Sequence, residues 1–121
     1  MDADSRSVFV VDDEQLVADT IALILRTNGY QALALYDSES AIAQLEIIKP
    51  EIVISDVCMP KMNGVQLAIL IRDRYPKCRV LLLSGQAATS DLLDEARRHG
   101  YIFEMLQKPI PPADLLAKIA A

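Results

Sequence analysis

"VFVVDDEQLVADTIALIL", residues 8–25, carries the two periodicities that decide the fold. Val8 to Val11 form an unbroken apolar run rich in β-branched residues, the length of a strand buried on both faces. From Val17 the spacing changes: Val17, Ile21, Ile24 and Leu25 fall on one helical stripe, with Asp19 and Arg26 off it. Between the two stand Asp12 and Asp13. Adjacent carboxylates at the end of a buried strand repel each other. Water can screen them, the following helix can use them as caps, or a cation can join them.

The strand–helix unit recurs along the chain. "YQALALY" (30–36) reads as a second, weaker strand, and Ser38 is expected to cap a helix whose Ala41, Ile42 and Leu45 face inward. "EIVISD" (51–56) is a third apolar run ending in an acid, and "MPKMNG" (59–64) is a Pro- and Gly-containing loop. Leu67, Leu70 and Ile71 mark a helix that "YPK" closes. "RVLLLSG" (79–85) is a fourth strand, and "TSDLLDEARRHG" (89–100) a capped helix stopped by Gly100, as Gly29 stops the first. "YIFEMLQKP" (101–109) holds a fifth strand, and "PPADLLAKIAA" (111–121) starts a last helix with a Pro pair near its first turn. Repeated βα units with apolar strands predict an α/β fold, a parallel sheet covered by helices on both faces.

Composition narrows the function. The 121 residues suit a single domain, and at 52% hydrophobic they can bury a core built mainly of Leu, Ile, Val and Ala, since aromatics make up only 5%. A net charge of −5 gives no general attraction for nucleic acid phosphates, so direct DNA binding by this chain is not expected. Two cysteines outside any CxxC pair, with one histidine, argue against structural zinc and suit a reducing compartment. "MDADSRS" has no basic or apolar leader character, and the run "IALIL" is too short to cross a membrane, so a cytoplasmic location is expected. The chain, residues 1–121, reads as one domain, either the N-terminal part of a longer protein or a shortened piece, because the last helix is still short where it stops.

In an open parallel sheet, ligands bind outside the carboxyl ends of the strands. Asp12 and Asp13 follow the first strand, Asp56 ends the third, Ser84 ends the fourth and Lys108 follows the fifth. Three carboxylates, a hydroxyl and an ammonium are thus expected at one edge. Oxygen ligands of this kind suit Mg²⁺, and an Asp carboxylate can be the nucleophile of a phosphoryl transfer. Each residue has a plainer reading alone: Asp12 and Asp13 as caps, Asp56 and Ser84 as turn residues, Lys108 as an ordinary residue before Pro. Their convergence outweighs those readings. His99 is expected to be solvated near a helix C-terminus, and Cys78 to be a partly buried packing residue.

Through "VFVVDDE", "IVISDVCMPKMNG", "VLLLSG" and "LQKPI", nearly its whole length, the chain resembles the response-regulator receiver domain of two-component signalling. No single motif is decisive, but the ordered set is highly specific. The resemblance implies a flavodoxin-like, doubly wound (βα)5 sandwich with strand order 2-1-3-4-5. It implies that Asp56 takes a phosphoryl group from a phosphohistidine of a sensor histidine kinase or phosphotransfer protein. It further implies that Asp13 and Asp56 ligate Mg²⁺ directly, Asp12 mainly through water, and Cys58 through its backbone carbonyl. Lys108 and Ser84 would bind the phosphoryl group, Pro109 would follow a cis peptide, and the face of the fourth helix, fifth strand and fifth helix would change toward an unknown output partner. Homodimerisation on phosphorylation is left open. Such a domain is not an enzyme in its own right; it catalyses only its own phosphorylation and dephosphorylation.

Two departures stand out. Where the family usually carries Tyr or Phe, three residues before the lysine, this chain has Met105, with Tyr101 and Phe103 nearby, and the segment Gly100–Lys108 is about one residue longer than usual. Cys58 and Gln86, two positions after Asp56 and Ser84, are expected to flank the phosphoryl group and tune its loss. Two other classes compete. A haloacid dehalogenase-type phosphohydrolase wants a DxD after its first strand, where this chain has "VDDE". A degenerate receiver acting without phosphorylation should lack one of the five site residues, and none is missing.

Overall fold

The computed structural model of the chain describes residues 6–85 and 89–121. The elements are β1 (Arg6–Val11), α1 (Gln15–Thr27), β2 (Tyr30–Leu35), α2 (Ser38–Leu45), β3 (Ile52–Asp56), α3 (Gly64–Arg74), β4 (Arg79–Ser84), α4 (Thr89–Arg98), β5 (Glu104–Gln107) and α5 (Pro112–Ala120). The five strands form one sheet in the order β2-β1-β3-β4-β5, every pair parallel. This is the expected flavodoxin-like arrangement. The chain winds outward in both directions from β1, so the strand order reverses between β1 and β3, the point at whose carboxyl edge such sheets bind ligands.

Alternation along the central strands feeds both faces. Val8 and Val10 pack with Ala18, Ile21, Ala22 and Leu25 of α1 and with Leu115 and Ile119 of α5. Phe9 and Val11 turn the other way, to Leu45 of α2, Leu67 and Ile71 of α3 and Ala96 of α4. In β3 and β4 nearly every residue is buried, which is why these strands read as continuous apolar runs rather than alternating ones.

Element ends follow local chemistry. Gly29 and Gly100 take left-handed backbone at φ +92° and +89°, ending α1 and α4. Asn63 and Gln66 close a capping box on α3, each side chain accepting the other's backbone N–H at 2.8 and 2.9 Å. Pro111 is the N-cap of α5 and Pro112 its first residue. One expected cap is corrected. Asp37, not Ser38, caps α2, accepting from the Ser40 N–H, and Ser38 is its buried first residue. Serine and aspartate are both good caps, and Asp37 wins because it keeps the extended backbone an N-cap requires.

Strand β5 begins late, at Glu104. Tyr101 and Phe103, just before it, stack with ring centroids 6.1 Å apart. The Tyr101 hydroxyl donates to Asp73 at 3.0 Å, and the Arg72 guanidinium lies 4.9 Å over the Phe103 ring. Both aromatics are thus occupied in tying the α4–β5 connection to the end of α3. Cys78 is more buried than expected, at 9% exposure, and burial pushes its thiol up to about 11, so it stays a protonated packing group. His99 is exposed beside Glu95, its Nε2 3.0 Å from the carboxylate.

Candidate functional site

The carboxyl ends of the strands bring the expected acids together. The Asp12 N–H donates to the Leu35 carbonyl at 3.0 Å, continuing the β1–β2 ladder one residue past the strand. This holds Asp12 in strand geometry with its side chain fully buried, while Asp13, of opposite parity, is exposed. Asp12 Oδ1 also accepts the Glu14 N–H at 2.9 Å, turning the chain into α1. Asp56, the last residue of β3, is 6% exposed. Asp12, Asp13 and Asp56 each present a carboxylate oxygen, and these oxygens lie within 4.8 Å of one another.

Lys108 reaches this cluster from the end of β5. Its Nζ lies 3.0 Å from Asp12 Oδ2 and 2.9 Å from Asp56 Oδ1. The Lys108 N–H donates to the Ser84 carbonyl at 2.9 Å, so the ladder between β4 and β5 carries the lysine to the site. The Lys108–Pro109 peptide is cis. Ser84 ends β4 and is buried.

The electrostatics are those of too many acids for one base. Burial pushes the Asp56 carboxyl up; the Lys108 hydrogen bond pulls it down, and the Asp12 charge pushes it up again, for a net rise. Burial lowers the Lys108 ammonium, but its bonds to Asp56 and Asp12 outweigh this and the net direction is upward. The lysine therefore keeps its charge, while Asp56 shares that ammonium with a second carboxylate and remains under-compensated. An all-oxygen cluster of two buried acids and one exposed acid, with surplus negative charge, fits a hard divalent cation, and Asp12, Asp13 and Asp56 are the side chains that would hold it.

The loop after Asp56 needs a glycine. A Cβ on Gly64 would lie 2.0 Å from the Asp56 carbonyl oxygen and 2.9 Å from the Val57 Cα. The Gly64 N–H donates to the Val57 carbonyl at 2.8 Å, seating α3 directly against the backbone of the acidic strand end.

The family model for the response regulator receiver domain matches residues 8–120. This chain belongs to that family. It is 35% identical over 85 residues to the probable transcriptional regulatory protein TcrX of Mycobacterium tuberculosis, covering 70% of this chain and 36% of that protein. It is 26% identical over 123 residues to the DNA-binding response regulator MtrA of Mycobacterium tuberculosis, covering 100% of this chain and 52% of that protein. The chain thus spans about half or less of these curated relatives. Among solved structures, a response regulator receiver domain protein from Clostridium thermocellum superposes with a TM-score of 0.83 at 27% identity, covering 95% of this chain and 91% of that one.

Other expected residues of the receiver domain fall as follows. Cys58 is exposed in the β3–α3 loop, two residues past Asp56. Gln86 lies outside the described residues. Met105 stands opposite Leu82 in β5, half-buried against the core beneath α2, α3 and α4. Sequence reasoning gave no bracing role to two residues that support the site. Gly64 stands out as the glycine of the "MPKMNG" loop, but its close approach to the Asp56 backbone has no signal in the sequence. Ser38 carries none, because its partner is 24 residues away: its hydroxyl donates to the Met62 carbonyl at 2.9 Å. Among the described residues no helix is long and apolar enough to cross a membrane.

Proposed function

We propose that this receiver domain accepts a phosphoryl group on Asp56 from a phosphohistidine of a sensor histidine kinase or phosphotransfer protein, with Mg²⁺ as cofactor, in the cytoplasm. The observation that carries the reading is the pair of contacts from one ammonium, Lys108, to the two buried carboxylates Asp12 and Asp56. A carboxylate oxygen of Asp56 attacks phosphorus, the new P–O bond forms as the P–N bond to the donor imidazole breaks, and the electron pair leaves on that nitrogen. Asp13, Asp56, the Cys58 carbonyl and, through water, Asp12 would hold Mg²⁺, which would supply charge neutralisation for the phosphoryl oxygens. Lys108 follows the phosphoryl group as an ammonium already placed beside the acceptor oxygen, and Ser84 hydrogen-bonds it. Cys58 and Gln86 tune its hydrolysis.

Output runs through the face of α4, β5 and α5 to an unidentified partner or attached domain. With Tyr101 and Phe103 engaged at Asp73 and Arg72, the half-buried Met105 is the residue left at the usual switch position. The chain is a signalling module that turns over only its own phosphoryl group.

Incubation with Mg²⁺ and acetyl phosphate, followed by intact-mass measurement, tests the reading. One acid-labile phosphoryl adduct is expected, absent in Asp56→Asn. No adduct at any Mg²⁺ level or pH would overturn it in favour of an interaction module that works without phosphorylation. Rapid turnover of unrelated phosphate esters would favour a hydrolase.

A further inference from the structure

We infer that Ser38, at the start of α2, is a positioning residue for divalent cation binding, acting through the β3–α3 loop. The inference rests on the cation site proposed above and deepens it.

Residues 57–63 form the loop that leaves the acidic strand end and carries the Cys58 carbonyl. Its backbone is anchored at two points. At the near end, the Val57 carbonyl accepts the Gly64 N–H at 2.8 Å, and the Val57 N–H donates to Leu83 at 3.0 Å. At the far end, the Met62 carbonyl accepts the Ser38 hydroxyl at 2.9 Å. Between them Met59 is buried and Lys61 takes a left-handed backbone, φ 64°, without being glycine. A lysine in that conformation is held there by its surroundings. The second tether from α2, Lys61 to Glu39, is 3.4 Å long and exposed on both sides, and an ion pair of that kind holds little.

Ser38 differs in being 4% exposed. It does not serve as the helix cap, since Asp37 does. A buried hydroxyl with no cap to make, aimed at a loop carbonyl, fixes where that loop runs. Loss of this bond takes the Ser38 donor from the half-buried Met62 carbonyl and lets the Cys58–Met62 segment shift, moving the Cys58 carbonyl relative to Asp13 and Asp56. Residues that hold a metal ligand in place typically matter about 10-fold or more in affinity.

The test is Mg²⁺ titration by calorimetry on the whole chain, for wild type, Ser38→Ala and Leu45→Val. Leu45 is a fully buried residue of the same helix, seven positions past Ser38, so its variant loosens α2 without removing the Ser38 hydroxyl. Thermal melts confirm folding and measure how far each variant is destabilised. Ser38→Ala is expected to raise the Mg²⁺ dissociation constant about 10-fold, while Leu45→Val stays within about twofold of wild type at a similar loss of melting temperature. Unchanged Mg²⁺ affinity in Ser38→Ala, or a parallel loss in both variants, would overturn the inference. A wild-type chain that binds no Mg²⁺ would instead remove the cation site itself.

Discussion

Asp56 is held in a state its own fold disfavours. Burial and the neighbouring Asp12 raise its carboxyl above the usual 3.8, and the shared Lys108 ammonium only partly offsets them. A folded value above the unfolded one means that the stability linked to protonated Asp56 is fully present below pH 3.8 and is lost as pH rises through the folded value. Asparagine mimics the protonated form. Asp56→Asn is therefore expected to be more stable than wild type by about 1 kcal/mol in metal-free buffer near neutrality. That advantage should vanish below pH 3.8, where wild type is protonated folded or unfolded. Urea melts of both proteins at pH 7 and pH 3, with a chelator present, measure the difference. A wild type equal to or more stable than the variant at pH 7 would show that Lys108 fully compensates the acid. The same residue illustrates what was legible. An apolar run ending in Asp placed Asp56 at the ligand edge, whereas the sharing of Lys108 between Asp12 and Asp56 is a matter of ångströms that no spacing encodes.

At the scale of elements, the seating of α3 against the end of β3 depends on the missing side chain of Gly64. A Cβ there would collide with the Asp56 carbonyl at 2.0 Å, and backbone cannot yield as a flexible side chain can. Gly64→Ala is expected to cost about 3 kcal/mol and to suppress Asp56 labelling in whatever fraction still folds. Gly29 makes the contrast. It has open space around its would-be Cβ but φ +92°, so Gly29→Ala should cost about 1–2 kcal/mol from backbone conformation alone and leave labelling intact. Chemical denaturation and acetyl phosphate labelling of the two variants separate steric from conformational glycine. A Gly64→Ala protein that labels at the wild-type rate would remove the tie between α3 and the acceptor. The sequence revealed both as turn-like glycines; only packing distinguishes them, because a close approach involves residues from another element. The misplaced cap of α2 has a similar origin: "DS" offers two good caps in succession, and the burial of Ser38 against Met62 decides between them.

At the scale of the molecule, Arg79 clasps the far edge of the sheet. Its guanidinium donates twice to Glu104 at 2.7 Å, to the Ile119 carbonyl at 3.1 Å and to the Lys118 carbonyl at 2.9 Å, tying β4, β5 and the last turn of α5 together. The guanidinium thus meets two carbonyls of the last helical turn, the end where a positive charge is favoured. Arg79→Ala is expected to destabilise the fold by about 2 kcal/mol, given several charge-assisted bonds that are partly exposed. The Arg79 hydrogen bonds hold the Glu104 carboxyl below its usual 4.5, so its contribution is present above pH 4.5 and is lost as pH falls through the lowered folded value. The stability gap between wild type and Glu104→Gln, followed by thermal melts, should accordingly close in acid. A gap independent of pH would show that packing, not charge, accounts for the clasp.

The sequence by itself determined the five βα units and the convergence of the candidate residues Asp12, Asp13, Asp56, Ser84 and Lys108 at one edge. Apolar runs and period-3.6 patterns report burial locally, and strand ends in a parallel sheet share one side. The tertiary structure decided what depends on contacts between distant segments. These are the sharing of Lys108 by two acids, the glycine that admits α3 to the Asp56 backbone, the Ser38 hydroxyl on the β3–α3 loop, and the Arg79 clasp. All but the Gly64 approach join residues 24 or more positions apart within about one hydrogen-bond length, and only the packed sheet and helices bring them that close.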